Sequence, residues 1–536
     1  MNITSSNRHH DLLIIGSGAS GAAAAWSLSS EFQDVACFEQ GDWTDPSKYP
    51  STRNDWELSK TKDFSPLPNV RNLSVDYEID DSESPISVAN FNGVGGSTIL
   101  YSGHFPRFHP SDFNAFSQDG VGYDWGFGYT DLEPFYNLND QMMGVSGLSG
   151  DPAYPEITGM LPPIDIGPIG NILGNGFNKL GWHWWPSYSA IITREKDGRG
   201  RCINLGPCNT GCPQGAKSSV DITYWPKAIK NGVKLYTNFR VYEIVVDKND
   251  KVLGVNYFDK DGNTNFCSCR ILLLACNGIG TPRLLLNSRS KLRQETLANR
   301  SGLVGKNLML HPLGFIEGFF NEDFDSTIGP HGSCIYSHQF YETDESRGFK
   351  RGFTMQILRG PKPIEFTKSA IQRRLLPYGK DHIKAFKDLY GKNIGISIIC
   401  EDLPEECNMV QLHENKKDLF GIPIPKITYR LSNNTKKMMS FGIQRGQEVL
   451  EASGASKVFS FGPVRNTGWH LIGTAKMGFD PEKSVVGING MSHDVGNLFV
   501  IDSSIFPTSS GVNPASTIQA VALYISNWIK NNKGSL

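Results

Sequence analysis

One residue near the end of the chain has a side chain suited to proton transfer: His470, within GWHLIGTAKMG at 468–478. A neutral imidazole, with an ordinary pKa of about 6.5, can accept a proton from a substrate. Read alone, His470 fits a hydrogen-bonded core histidine better than a base, since Trp469, Leu471 and Ile472 around it are apolar. The elements that position it therefore carry the argument.

The first such element is near the start. DLLIIGSGASGAAAAWSLSSEFQDVACFEQ, residues 11–40, reads as a buried strand, a glycine turn, a helix and a second strand. Gly16, Gly18 and Gly21 form G-x-G-x-x-G, with Ser20 at the head of the helix. Glycine permits the turn and lets backbone amides approach a pyrophosphate at the helix N-terminus. Glu39, at the end of the second strand, is placed to accept from the ribose hydroxyls of an adenosine and disfavours a 2′-phosphate.

Further glycine-bearing segments recur along the chain: GVGGST at 93–98, with Gly95, Gly96 and Ser97, and ACNGIGTP at 275–282. Several backbone strips meeting one extended ligand suit FAD better than NAD. Asp502, after the apolar strand NLFVI, is expected to accept from its ribityl chain, with a turn-capping carboxylate as the alternative; Val241 is expected to contact the cofactor. Asn513 is expected to cap a helix with Pro514 at its first position and apolar residues at 518, 521, 522, 525 and 529 on one face. Pro514, Ala515 and Ser516 form that N-terminus beside the cofactor, where the free N–H groups of Ala515 and Ser516 and the positive helix end would favour negative charge on a flavin pyrimidine.

Composition narrows the partners. Against 54 acidic residues stand 52 Lys and Arg, so no strong field recruits nucleic acid or an anionic membrane. A small-molecule partner is therefore the expectation; oligomeric state is left open. The polar opening MNITSSNRHH lacks the charged and apolar regions of a signal peptide, and no run is long enough to span a bilayer, which points to the cytoplasm. Ten cysteines then read as free thiols.

The fold class expected is an α/β FAD-binding Rossmann-like domain, discontinuous over 8–45, 86–120, 200–310 and 462–536. An α+β substrate-binding domain with an antiparallel sheet takes 311–461, together with excursions at 46–85 and 121–199. Residues 46–90, rich in Ser, Asp, Pro and Lys, read as surface or lid material; 233–276 reads as hairpins closing on a buried strand.

Together these pieces resemble the glucose-methanol-choline (GMC) flavoprotein oxidoreductases over about 11–530. The resemblance rests on GSGASG with Glu39, GVGGSTILYSGHFPRFHPSDF at 93–113, ACNGIGTPRLLLNS at 275–288, GLVGKNLMLHP at 302–312, and WHLIGTAKMG followed by NLFVIDSSIFP and VNPAST. It implies oxidation of the CH–OH group of a small-molecule alcohol with hydride transfer to flavin N5, oxygen, a quinone or another group serving as electron acceptor, with His470 as the catalytic histidine that takes the hydroxyl proton and Asn513 as the partner whose amide holds the same oxygen. Leu100 stands where relatives with covalent FAD carry histidine, so noncovalent FAD is expected; Tyr101 stands for a common Asn or His, and Leu310 for a frequent Asp before His311. His104 reads as a packing or turn residue, with a place beside the flavin as the alternative.

Other features weigh less. Cys202, Cys208 and Cys212 form C-x5-C-x3-C, which lacks a fourth local ligand and reads as structural thiols before an iron–sulfur cluster or another metal. Trp182, Trp184 and Trp185 read as packing before substrate contact, and Arg465 as an ion pair before a carboxylate clamp. The competing functions are a lyase of the hydroxynitrile-lyase type on the same fold, with structural FAD, and a flavin electron-transfer subunit of a multi-subunit dehydrogenase.

Overall fold

The structure, a computed structural model, describes residues 8–53, 56–71 and 73–536. Its first sheet grows around the strand Arg8–Ile15, in which Leu12, Leu13 and Ile14 are fully buried. A strand covered on both faces has parallel neighbours joined by helical crossovers, and here these are Val35–Phe38 on one side and Thr264–Leu274 on the other. The crossover helix Ala19–Leu28 buries Ala22 to Ala25 without exposure, and their small side chains let it lie against the C-terminal helix Ala515–Asn532. Val521, Leu523, Ile525 and Ile529 are buried on that helix. Burying each such side chain contributes about 1.5–3 kcal/mol before entropy is counted.

Lys234–Tyr236 extends the sheet beyond Val35–Phe38. The long strand Thr264–Leu274 takes two partners in succession along one edge. Thr264 to Ser268 pair antiparallel with Val252–Phe258, which pairs with Arg240–Val246; Leu272 to Leu274 pair parallel with Leu498–Val500. The expected hairpins at 233–276 are therefore present, and the C-terminal segment completes the first sheet.

A six-stranded antiparallel sheet runs in the order Lys457–Phe461, Leu313–Phe319, Asn393–Cys400, Phe353–Leu358, Ile335–Ser337, Trp185–Pro186. Strand alternation divides its residues. Met355, Ile357, Ile396 and Ile398 join a core with the helices Gly167–Leu180 and Asn433–Ala452, whereas Leu313, Gln356, Leu358, Ser397 and Ile399 line a cavity. The helix lies close because Gly442 and Gly446 face the sheet: a Cβ on Gly442 would stand 2.6 Å from Ile398 Cγ2, and one on Gly446 2.8 Å from Ile316 Cδ1.

Two expectations need correction. The stretch 46–90 is not all surface: Asp80–Glu83 pairs with Pro423–Thr428 in a three-stranded sheet, and Tyr77, Ile79, Ile86 and Val88 are buried with Ile279, Leu308 and Leu310. Its polar composition hides short apolar anchors that only long-range partners reveal. The last helix begins at Ala515, with Pro514 before it and no side-chain cap, so Asn513 does not act as the N-cap.

Candidate active site

A cavity of about 450 Å³ lies between the first sheet and the open face of the second. Gly16, Gly18, Ser20, Glu39, Gly96, Ser97, Val241 and Asp502 line it toward the first sheet, and His470, Asn513, Pro514 and Ala515 also reach it. Gly21, Gly95 and Ser516 do not line it. A Cβ on Gly21 would stand 2.0 Å from the Gly16 carbonyl oxygen, and one on Gly95, at φ +97°, 2.9 Å from Ile99 Cδ1. Gly21 is required by close approach of backbone to backbone and Gly95 by its left-handed conformation, while Ser516 is fully buried.

The residues present fit the dinucleotide they predict. Glu39 is held by the Ser17 amide at 3.0 Å, the Ser17 hydroxyl at 2.7 Å and the Gly41 amide at 2.9 Å, all donating to its carboxylate. Burial pushes its pKa up against those hydrogen bonds, and oriented donors keep the carboxylate at the strand end, beside the helix N-terminus. The Gly18 and Gly96 turns touch: a Cβ on Gly96 would stand 2.9 Å from Gly18 Cα. Asp502 accepts from Thr281 Oγ1 at 2.6 Å and from the amides of Asn277 at 3.0 Å and Ser504 at 2.8 Å, so it joins two turns while lining the cavity.

Lys217, absent from the sequence reading, braces the glycine loop. Its buried ammonium donates to the carbonyl oxygens of Thr98 at 3.2 Å, Ile99 at 2.7 Å and Tyr101 at 2.9 Å. These carbonyls lie in or just beyond the short helix Gly96–Ile99. Burial pushes the lysine down to about 8. The only local sign is a lysine in GAKSS, which nothing in sequence connects to residues 98–101.

At the other end His470 stands between two partners. Its Nδ1 is 2.8 Å from His311 Nδ1, and its Nε2 is 3.3 Å from Asn513 Nδ2. The hydrogen positions follow from what each partner can offer. His311 Nε2 faces the carbonyl oxygens of Ser510 at 2.7 Å and Ser509 at 3.1 Å, which only accept, so this nitrogen carries a hydrogen. Burial pushes His311 down to about 4, leaving it neutral with a bare Nδ1. His470 therefore donates through Nδ1 and keeps its Nε2 lone pair beside Asn513. Desolvation first, then the neighbouring His311 and His104, hold the His470 pKa well below its ordinary value. A neutral imidazole with one unprotonated nitrogen at the cavity wall is a competent proton acceptor.

His311 was not singled out from sequence, because its partner lies 159 positions away. It is a left-handed residue at φ +48°, and Thr474 and Ser510 nearby have φ +81° and +60°. Such conformations cost about 1–3 kcal/mol each and gather where geometry serves function. Asp402 helps to hold the segment, accepting from the Leu310 amide at 3.2 Å and Tyr429 hydroxyl at 2.6 Å, while its own amide donates to Ser509 Oγ at 3.0 Å.

The lesser signals lie away from His470 and Asn513. Trp182 and Trp184 pack against the second core, and Trp185 Nε1 donates to the Leu148 carbonyl; the three tryptophans stay off the cavity wall. Arg465 lies 3.8 Å from Asp81 on the surface. Cys202, Cys208 and Cys212 are free thiols, and among the described residues no group of His, Cys, Asp and Glu is arranged to hold a metal. No helix among them is long and apolar enough to cross a membrane.

Comparison with known proteins agrees with this geometry. The GMC oxidoreductase family models match residues 10–313 and 404–522. The 2-methyl-1,2-propanediol dehydrogenase of Mycolicibacterium austroafricanum is 38% identical over 98% of this chain and 96% of its own. The fructose dehydrogenase large subunit of Gluconobacter japonicus is 27% identical over 97% and 98%. Among solved structures, pyridoxine 4-oxidase from Mesorbium loti superposes with a TM-score of 0.63 at 16% identity, covering 97% of this chain and 99% of its own. With the dinucleotide turn, the glycine loop and the His470 cavity assembled on one frame, the chain belongs to the GMC oxidoreductase family, FAD flavoproteins that oxidise CH–OH groups.

Proposed function

We propose that the chain oxidises a small alcohol bearing further hydroxyls, of the diol, polyol or sugar class, with His470 as base and Asn513 as its partner. The observation that carries this reading is the placement of His470 at the cavity wall, with Nδ1 2.8 Å from His311 Nδ1 and Nε2 3.3 Å from the Asn513 amide nitrogen in the same cavity. The substrate class is supported by relatives named for a propanediol and for fructose.

In this reading the alcohol oxygen lies between His470 Nε2 and the Asn513 amide. His470 takes the hydroxyl proton, and Asn513 keeps the oxygen in line so that the carbon hydrogen has one direction of departure. FAD, when bound, supplies the hydride acceptor at its N5. Gly16, Gly18, Ser20 and Glu39 would hold the adenosine diphosphate part; Gly96, Ser97 and Asp502 the middle; Pro514 and Ala515 the ring end. The Ala515 amide lies at a helix N-terminus, where accumulating negative charge is favoured. Leu100, buried at the cavity wall, offers no atom for a covalent link, which supports noncovalent FAD. The division into cofactor and substrate parts follows the two large sheets.

Anaerobic mixing of the FAD-loaded protein with a panel of diols, polyols and sugars tests the reading. Bleaching of the flavin band with formation of the carbonyl product is expected. Carbonyl formation without bleaching would replace it with a lyase. Release of free flavin by acid would confirm the noncovalent state, and flavin retained on the precipitated chain would overturn it.

A further inference from the structure

His104 is fully enclosed, yet neither ring nitrogen meets a partner among the described residues. Its Tyr336 neighbour gives only an edge contact, with ring centroids 5.9 Å apart. Burial pushes it down to about 3, with no hydrogen bond or charge opposing the shift, so it is neutral. A neutral imidazole offers one donor and one acceptor. Leaving both unpaired away from water is costly, and buried polar groups without partners call for an explanation.

The position of His104 supplies one. It lines the cavity shared with His470 and Asn513, and it is near enough to His470 for the two sites to be electrostatically coupled. The same cavity receives Gln356 and Ser397 from the second sheet, with Leu313, Leu358 and Ile399 between them. Gln356 donates through Nε2 to the Gly332 carbonyl at 2.6 Å, which leaves its amide oxygen as an acceptor. A hydroxyl is the smallest group that both donates and accepts, and it matches a neutral imidazole in both capacities.

We propose that His104 is a specificity-determining residue that hydrogen-bonds a second hydroxyl of the substrate while His470 receives the proton of the first. This rests on the alcohol-oxidation reading of the site. It assigns the enzyme a preference for diols over monoalcohols through a contact separate from the base, and the apolar side chains between the polar ones accommodate the carbon skeleton. Ionic recognition is disfavoured, because a histidine held neutral offers no charge to a carboxylate or phosphate.

The test uses the FAD-loaded protein with pairs of alcohols that differ by one hydroxyl, beginning with propylene glycol against propanol, followed by anaerobic stopped-flow reduction. The wild type is expected to favour the diol. His104→Leu should lower kcat/KM for the diol on the order of 10- to 100-fold, the usual range for an unpaired polar group at a binding site, chiefly through KM. Propanol should be unaffected, and His104→Gln, which keeps a donor and an acceptor, should recover part of the diol preference. FAD content and the visible spectrum should match the wild type in both variants. Equal losses on diol and monoalcohol, or no loss on either, would overturn the assignment. An altered flavin spectrum or lost FAD would place His104 against the cofactor instead. If no pair in the panel bleaches the wild-type flavin, alcohol oxidation itself fails and the anchor fails with it.

Discussion

His311 Nδ1 and His470 Nδ1 stand 2.8 Å apart, and the two backbone carbonyls behind His311 fix which ring donates between them. The consequence is directional: the hydrogen on His470 points away from the cavity and its lone pair points toward Asn513. In the proposed reaction, the base that must face substrate unprotonated is thereby set by residues outside the cavity wall. Metal-bound histidines are oriented by outer partners in the same way.

If His311 fixes the tautomer, its replacement should affect the chemical step more than binding. His311→Leu removes the acceptor for His470 Nδ1 and is expected to lower kcat by about 10- to 100-fold, the range seen when a partner orienting a histidine is lost. KM should change little, and FAD should stay bound. His311→Gln, with an amide oxygen to accept from His470, should recover part of the rate. Equal activity of the two variants would show that packing, not hydrogen-bond polarity, is what His311 provides.

His470→Ala removes the proposed base itself. Anaerobic flavin reduction should slow by roughly 100-fold or more, a typical general-base contribution, with the FAD content and melting temperature of the wild type. Loss of FAD or of the fold would remove His470 from the catalytic role.

The acid limb of activity should lie low. Desolvation and the neighbouring histidines hold the His470 pKa well below 6.5. The active form is the neutral one, so kcat/KM should stay level as pH falls through 6.5 and decline only where His470 finally takes a proton. A measured decline centred at or above 6.5 would contradict the burial of the ring.

Lys217 gives a prediction about cofactor retention. Lys217→Met would leave the carbonyls of Thr98, Ile99 and Tyr101 without their shared donor. Each hydrogen bond to a charged donor contributes about 1.5–3 kcal/mol. The expected outcome is a lower melting temperature and FAD lost on gel filtration, while FAD added in excess restores reduction. Unchanged melting and retention would show that the loop holds its shape without the lysine.

Much of the cofactor frame was legible in order along the chain. Gly16, Gly18, Gly21 and Glu39 sit within 24 residues, and a strand, a glycine turn, a helix and a second strand are local patterns set by periodicity and backbone conformation. The apolar strand at 271–274 and the one-faced helix after Pro514 were legible for the same reason. Asn513 shows the limit. A residue before proline at a helix start reads as a cap, yet its side chain turns instead to His470, 43 positions away.

The sequence by itself determined the element types and the dinucleotide turn, because these depend on neighbours in the chain, and it pointed to His470 and Asn513 as a pair only through the family resemblance. Tertiary structure alone decided which of those residues share a cavity and in what protonation state. The His311 to His470 hydrogen bond spans 159 positions and the Lys217 brace about 120. The pKa values of His470, His311 and His104 are lowered chiefly by desolvation, a property of everything packed around a side chain that local sequence pattern does not encode.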